Sequence, residues 1–388
     1  MWISKDNLRL KVDAAQGQES KVSELPNQRS TGTDVCGRLL ARPRRVPGAL
    51  GNDPFAGTRS LSLLLTWGFF LTAFCLICSH RGLSSSLLLY RVQEIKPKIF
   101  VWIPDDVIDQ ECDPLFTRAA TAGFIVTAQG VVVVDTSNSP MNARDLLYEI
   151  RQRTDFPIRY VINTSSAPDH MLGNEVFTDE QATLISTKAA QEEMLQYQQE
   201  LFHRMHIEDG WRLQARMRGF HVTPSTETFE EKMTLNIGGQ EIRMASMMGS
   251  ETSPEDAVVF LPSARTLFLG ELYDNQYFPR IGSRNVYRWI EVLRQLEGWD
   301  VDTYVPGHGA PGSKKDLVDF RKFLEWLVAQ VEMRLKQGQT PADVQKTLWL
   351  PKTYNWHAAE LAADTVADVC RQLAPQPEAP PSSQPGQP

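Results

Sequence analysis

This chain of 388 residues has few cysteines, no excess of positive charge and no visible internal repeat. Its five cysteines are too few for a disulfide framework in a chain of this length. The formal net charge of −7 leaves no basic footprint, so nucleic acid is not an expected partner. No repeat with a period of about 20 to 50 residues is visible, which argues against solenoid and propeller architectures.

Long apolar runs are also scarce, and the longest lies outside the region with strand and helix patterns. Residues 61–78, LSLLLTWGFFLTAFCLIC, carry no charge and reach the lower limit for spanning a bilayer. Four arginines at 42–59 precede the run, which predicts an exported C-terminal domain under the positive-inside rule. We expect a signal peptide or a membrane anchor at 59–80 and a periplasmic or otherwise extracytoplasmic location. A signal peptide in this place implies a translation start later than Met1, and a buried core helix is the remaining alternative.

Composition separates a central region from two polar ends. Residues 1–58 are rich in Gly, Pro and Arg without apolar periodicity, and 375–388 are a Pro-rich tail, so both are predicted to be disordered. The sequence predicts a strand-rich domain at 95–315 and additional C-terminal helices at 316–374. Export would also allow Cys112 and Cys370 to form a disulfide, although nothing in the sequence places them within bonding distance.

From Lys98 onward, short apolar runs alternate with amphipathic stretches. The runs predict strands, with tight turns at Gln129-Gly130 and Gly238-Gly239. Helical spacing predicts helices at 142–153, from a Thr187 cap to His206, from Asp316 to Lys336, and after a Thr340 cap. Strands separated by helices predict layered α/β packing. The predicted strand sequences are KIFVWIP, AGFIVTA, GVVVVDT, IRYVIN, ATLIS, KMTLNI, QEIRMASM, DAVVFLP and TLFLGEL.

Four landmarks in sequence order carry a family resemblance. They are GFIVTAQGVVVVDT, NTSSAPDHMLGN, GSETSPEDAVVFLPSARTLFLGELYDN and VPGHG. Together they resemble the metallo-β-lactamase superfamily from Ala122 to about Gly309. The resemblance implies an α/β (α+β) fold, a four-layer αββα sandwich, with a metal centre along one edge of the facing sheets.

The resemblance implies that half of the metal centre is kept. The family pattern Thr-His-x-His-x-Asp-His, followed by Gly-Asn, is matched at Thr164, Asp169, His170, Gly173 and Asn174. The last family histidine is His308, and the bridging aspartate of the family is replaced by Glu271. The three-histidine subsite is lost, with Ser165, Ala167 and Thr252 at its positions. Asp135, after VVVV, matches a family aspartate that orients a ligand or caps the next turn, and Asn174 is expected to have a similar supporting role.

The remaining ligand types suit a single ion. Alanine has no donor atom and a neutral serine hydroxyl is a poor zinc ligand, whereas two imidazoles and a carboxylate suffice for a catalytic zinc. We expect one zinc ion, with iron as the alternative, bound by Asp169, His170 and His308 with Glu271 close by. Glu271 could coordinate the ion, bridge to Glu251 or act as a base, and Asp169 and Glu271 are the expected catalytic residues. Glu251 is a further candidate ligand.

Two functions remain open. The first is a one-ion hydrolase of an unknown small molecule, such as an ester, a lactam, or a sulfate or phosphate ester. The second is a binding protein that keeps the fold without metal.

Glutamates in GTE and AEN sequences join the metal site in the alkyl sulfatase branch of the family, and Glu251 and Glu271 resemble them. His203 and His206 could replace lost ligands or face solvent. The 187–231 stretch could cover the cleft or be a solvated lid, through Trp211, Arg212, Arg216, Arg218 and Phe220.

Overall fold

A seven-stranded sheet forms the first half of the fold. The computed structural model describes residues 90–105, 118–207, 220–247 and 256–374. Strands β1 to β4 are antiparallel neighbours, and β4 to β7 continue the sheet in parallel. The strands are β1 (Tyr90–Lys96), β2 (Ile99–Pro104), β3 (Ala122–Thr127), β4 (Gly130–Val134), β5 (Ile158–Ile162), β6 (Thr183–Thr187) and β7 (Glu227–Phe229).

A five-stranded sheet forms the second half. Its order is β12-β11-β10-β9-β8, antiparallel except for the parallel β11–β12 pair. Gly238 and Gly239 join β8 and β9 with positive φ angles, a conformation that glycine adopts without strain. The strands are β8 (Lys232–Ile237), β9 (Gln240–Ser246), β10 (Ala257–Leu261), β11 (Thr266–Phe268) and β12 (Thr303–Val305).

Helices lie between the strands and at the C-terminal end. Side-chain caps begin several of them, such as the reciprocal Thr340–Asp343 capping box that precedes Pro341. The α-helices are α1 (Pro140–Arg151), α2 (Pro168–Met171), α3 (Asn174–Asp179), α4 (Lys188–Ile207), α5 (Val286–Glu297), α6 (Lys314–Lys336), α7 (Pro341–Thr347) and α8 (Ala362–Leu373). Short 3₁₀ turns lie at Pro262–Ala264, Gly270–Leu272 and Ala359–Leu361.

Three apolar layers stack the elements into the predicted αββα sandwich. Alternate residues of the strands point to opposite faces, so Val132 of β4 packs between the sheets while its neighbour Val133 faces the helices. Helices α1 and α3 cover the first sheet, and α5, α6 and α8 cover the second. Each fully buried large apolar side chain, such as Trp289 of α5, stabilises this packing by roughly 1.5–3 kcal/mol.

Several local predictions need correction. The first strand begins at Tyr90, before the expected domain start at residue 95, and pairs with β2. In TLFLGEL only Thr266–Phe268 is extended, because Gly270–Leu272 turn into a 3₁₀ helix. Helix α5 was not predicted from the sequence. Strands β7 and β12 were not predicted either, because three residues are too few to show a period of two.

Other predictions fall on parts of the chain outside the described ranges. They include the apolar run at 61–78, both polar ends and Cys112. Among the described helices, none combines the length and apolar character needed to cross a membrane. Cys370 is buried beneath the helices of the second sheet. Export and the Cys112–Cys370 pair therefore stay predictions.

Candidate metal centre

The centre begins where two parallel strands end side by side. Because β4 and β5 are parallel neighbours, the residues after their carboxyl ends meet at one edge of the sheet. Asp135 follows β4 with a φ of 60°, and its side chain accepts hydrogen bonds from the Thr164 amide at 2.8 Å and hydroxyl at 2.6 Å. Such a left-handed conformation is uncommon outside glycine, and these bonds help to hold it.

The same carboxylate orients His170. Asp135 Oδ2 lies 2.9 Å from His170 Nδ1, so the opposite ring nitrogen, Nε2, points to Glu271 Oε1 at 3.1 Å. Histidines that ligate metals usually donate their other ring N–H to a carboxylate in this way, which fixes the tautomer and the ring plane. The geometry therefore leaves the His170 Nε2 facing the centre.

A network of buried amides holds the short helix α2, which carries Asp169 and His170. Asn163 and Asn174 exchange hydrogen bonds, and the Thr136 hydroxyl donates to Asn174 at 2.8 Å. Asn174 therefore supports the ligands indirectly, through Thr136 and Asn163, whose side chains both donate to the His170 carbonyl oxygen at 3.3 Å. A Cβ on Gly173 would lie 2.2 Å from the Thr136 carbonyl oxygen, so only glycine allows this close approach.

Glu271 reaches the centre from the second sheet because a glycine precedes it. Gly270 has a φ of 51°, and a Cβ there would lie 2.1 Å from Thr164 Oγ1. The 3₁₀ turn at Gly270–Leu272 therefore packs directly on the loop after β5. His308 follows β12, in a segment bonded to the first sheet through Thr121, whose hydroxyl donates to Gly309 O at 3.0 Å.

Four predicted residues bring their donor atoms together. Asp169 Oδ2 and His308 Nε2 are 3.1 Å apart, and the ligand atoms of Asp169, His170, Glu271 and His308 all lie within 4.8 Å of one another. Two imidazoles and two carboxylates are a suitable donor set for zinc or ferrous iron. The group is mostly buried, with 12% of the His308 side chain and 13% of the Asp169 side chain exposed. These four residues fit a metal ion.

The charges of the four side chains neutralise one another. Burial would lower the pKa of His170, but Asp135 and Glu271 raise it well above its usual value. Burial would raise the pKa of Glu271, but Arg284 and His170 hold it well below its usual range. Burial likewise acts against ionised Asp169, yet the hydrogen bond with His308 lowers its pKa. An incoming ion would therefore displace a proton from His170.

The positions of the lost subsite contain no comparable donors where the structure describes them. Ala167 caps α2 without a side-chain hydrogen bond, and the Ser165 hydroxyl accepts the Ala167 amide at 3.2 Å. Thr252 and Glu251 lie outside the described ranges, so the proposed Glu271–Glu251 bridge stays a prediction. The side chains of His203 and His206 are also outside the described part of the chain, whereas Phe220 packs beside α4. Four of the five named lid residues lie outside it as well, namely Trp211, Arg212, Arg216 and Arg218.

Three charged residues at the centre were missed in the sequence. Arg284 contacts Glu271 and Asp256, and 1% of the Asp256 side chain is exposed. Burial raises the pKa of Asp274, next to His308, to about 7. Only the position of Asp274, three residues after Glu271 in a motif, offered a signal. Arg284 and Asp256 belong to no short motif that the sequence displays.

A polar and aromatic wall adjoins His308. Tyr277 lies with its ring centroid 6.1 Å from His308 and 4.8 Å from His357, onto which it stacks. Arg118 lies over the Tyr277 ring, 5.8 Å from its centroid, and forms an ion pair with Glu360. The segment between α7 and α8 thus contributes His357 and Glu360 to the surroundings of the centre.

Known proteins with similar sequences and folds agree with this architecture. Residues 116–308, about half of the chain, match the metallo-beta-lactamase superfamily. A linear primary-alkylsulfatase from Pseudomonas sp. is 23% identical over 264 residues, which are 59% of this chain and 49% of that protein. The chain therefore spans about half the length of the curated relative that it matches.

Solved structures resemble the sandwich as well. A stereoselective inverting sec-alkylsulfatase from Pseudomonas sp. is 18% identical with a TM-score of 0.52, covering 77% of this chain and 52% of that one. A metallo-beta-lactamase from Pontibacter korlensis is 18% identical with a TM-score of 0.46, covering 61% of this chain and 99% of that one. Because the matched residues include the strands and loops that assemble the four donors, the chain belongs to the metallo-β-lactamase superfamily, as a member whose metal-binding motif is degenerate.

Proposed function

We propose that this protein is a hydrolase that works with one metal ion at Asp169, His170, Glu271 and His308. The observation that carries the proposal is the convergence of these four donors within 4.8 Å, with His170 already oriented by Asp135. A zinc ion bound there would lower the pKa of its water and polarise the oxygen of an ester. The lack of a donor atom at Ala167 and the poor ligand at Ser165 support one ion and not two.

The side chains have separate tasks in this proposal. Asp135 keeps His170 in the tautomer that presents Nε2 to the centre, so the His170 ring needs no reorientation to bind an ion. Glu271 is ionised at neutral pH because Arg284 stabilises its negative charge, so it serves better as a ligand or orienting acceptor than as a strong base. Asp169 and His308 hold the side of the centre that faces the Tyr277 wall.

Sulfate esters are the substrate class that we propose to test first. The similarity to a linear primary-alkylsulfatase, which is 23% identical over 264 residues, supports this class. The Glu271 side chain, one methylene longer than the family aspartate, is the sequence feature shared with the alkyl sulfatase branch. Lactams and phosphate esters are the competing classes in the same assay.

The test combines metal content with hydrolysis. The full chain, prepared without added metal and then supplied with zinc, is expected to retain one ion per chain and to hydrolyse an alkyl or aryl sulfate. His308→Ala and Asp169→Ala are expected to lose both properties. His221→Ala is the matched control, because it removes an exposed histidine that pairs with Glu175 at the surface. Equal zinc content in all four proteins would refute the assignment.

A metal-free binding protein is the second candidate, and one observation favours it. Ala167 has no donor atom and Ser165 only a weakly ligating hydroxyl at positions where the family pattern has histidines, so one of the family's two ion subsites is lost. Stability and ligand binding that do not respond to zinc or to a chelator would support this function. A zinc-dependent rise in melting temperature that a chelator reverses would support the hydrolase.

We also propose export through the apolar run at 61–78. The lack of charge in this run and the arginines that precede it support the proposal. Cell fractionation with and without the run separates the alternatives. A product that is shorter than the full chain and lies outside the cytoplasm would indicate a cleaved signal peptide, a full-length membrane product would indicate an anchor, and a cytoplasmic product would refute export.

A further inference from the structure

Arg284 is a buried cation at the edge of the donor cluster that no part of the family pattern explains. Its Nη2 donates to Glu271 Oε2 at 2.9 Å, and its Nε lies 3.4 Å from Asp256 Oδ2. Only 15% of the Arg284 side chain is exposed. A charge pair this far from solvent is screened much less than a surface pair, so its electrostatic effect on Glu271 is large.

Glu271 directs its two oxygens to different cations. Oε1 lies 3.1 Å from His170 Nε2 and 3.9 Å from His308 Nε2, on the side of the candidate metal. Oε2 faces the guanidinium of Arg284. In the family pattern the residue at this position bridges two ions. Here the same carboxylate bridges one candidate ion site and one arginine.

The second carboxylate on Arg284 connects it to the lost subsite. The Ala257 amide donates to the Thr164 carbonyl at 2.7 Å, which places the start of β10, and Asp256 before it, beside the loop after β5. Ser165, which stands at a lost histidine position, lies in that loop directly after Thr164. Arg284 and Asp256 therefore occupy the neighbourhood in which the family binds its first ion.

Contacts from the helices over the second sheet hold Arg284 in place. Its guanidinium lies 5.5 Å from the centre of the Trp289 ring, and its carbonyl oxygen accepts a hydrogen bond from Gln372 of α8 at 2.6 Å. The backbone amide donates to the carbonyl of Ile281 at 3.1 Å. The arginine is therefore fixed before any ligand binds, which limits the entropy that its ion pairs cost.

We propose that Arg284 replaces the lost first-subsite ion as a permanent positive charge that neutralises Glu271 and Asp256. The inference rests on the proposed function, because the charge matters to catalysis only if an ion binds at the other side of Glu271. An arginine in this place makes a second ion unnecessary for balancing the carboxylates. Arg284 also repels the ion bound at the remaining subsite, and that repulsion distinguishes a charge replacement from an arginine that merely orients Glu271.

Calorimetric titration of the metal-free full chain with zinc, in competition with a chelator, tests the proposal. Arg284→Gln is expected to bind zinc about tenfold tighter or more, because the ion then neutralises Glu271 without a competing charge. Arg284→Lys keeps the charge and is expected to stay close to the wild type. Arg321→Gln is the matched control, since Arg321 is equally buried and pairs with two carboxylates, Glu297 and Glu325, on the outer helices.

Each outcome of the zinc titration either supports or overturns the proposal. Weaker zinc binding by Arg284→Gln would mean that the arginine orients Glu271, and unchanged binding would mean a structural role only; both overturn the proposal. If Arg284→Gln fails to fold, Arg284→Gln with Asp256→Asn removes the unpaired carboxylate while Glu271 keeps its charge, and the same tighter binding is expected. A wild type that binds no zinc would refute the one-ion hydrolase. In that case zinc binding by Arg284→Gln supports the replacement, and no binding by either protein overturns it.

Discussion

Gly270→Ala is expected to damage the candidate metal centre although Gly270 binds nothing. Its φ of 51° is unfavourable for alanine, which adds about 1–2 kcal/mol of strain. The new Cβ would also lie 2.1 Å from Thr164 Oγ1 and 2.7 Å from Thr164 Cβ, so the loop after β5 must move. Movement of Thr164 breaks its two hydrogen bonds to Asp135, at roughly 1–3 kcal/mol for each buried polar group left unpaired. The sum is a loss of about 3–8 kcal/mol.

Gly239→Ala separates the steric contact from the backbone strain. Gly239 has a φ of 84° in the β8–β9 turn, and a Cβ there meets nothing within 4 Å. Urea unfolding is therefore expected to show the strain alone, about 1–2 kcal/mol, for this control. Zinc titration is expected to show about 10- to 100-fold weaker binding for Gly270→Ala and no change for Gly239→Ala. Equal losses of stability in the two variants, with equal zinc affinities, would refute the reasoning.

Three further predictions concern the charges around the centre. Asp135→Asn removes the carboxylate that binds His170 Nδ1, and zinc titration is expected to show about 10- to 100-fold weaker binding. An unchanged zinc affinity would mean that Asp135 does not support the metal ligand. Zinc binding is expected to release a proton from His170, whose pKa is raised by Asp135 and Glu271, and calorimetry in buffers of different ionisation enthalpy would detect it. Burial raises the pKa of Asp274 from 3.8 to about 7, so the folded state holds a proton that the unfolded state releases. The metal-free protein should therefore lose stability as pH rises from about 4 to about 7, by up to about 4 kcal/mol. Asp274→Asn should flatten that dependence in urea titrations, and an unchanged pH profile would contradict the assignment.

The features that the sequence predicted well are those with local causes. The β8–β9 hairpin follows from Gly238-Gly239 alone, and the α7 start follows from Thr340 and Pro341. The αββα order came from the resemblance. Successive residues of β4 and β10 pack alternately into the apolar layers on the two faces of their sheets, which agrees with that order. The Asp169, His170 and His308 group could be predicted because each residue stands in a short motif whose order along the chain survives.

The features that were missed depend on contacts between distant segments. Arg284 acts through Asp256, 28 positions earlier, and through Gln372, 88 positions later. Neither distance leaves a pattern in the local sequence. Helix α5 was a different failure, since Trp289, Leu293 and Leu296 have helical spacing that could have been recognised. Strands β7 and β12 owe their extended form to pairing with β6 and β11 and not to their own composition.

The motif residues that this chain retains are not equally strong evidence for catalysis. Asp135, Thr164 and Asn174 are nearly completely buried, and their hydrogen bonds join the ends of β4 and β5 to the loop that carries α2. A protein that had lost its metal would still need them, because removing one partner leaves buried polar groups unpaired. Asp169 and His308 differ, since they are partly exposed and pair mainly with each other. Asp169→Asn together with His308→Gln should therefore leave the fold intact and affect only metal binding and turnover. These two residues are the proper test of whether the remaining half of the site is used.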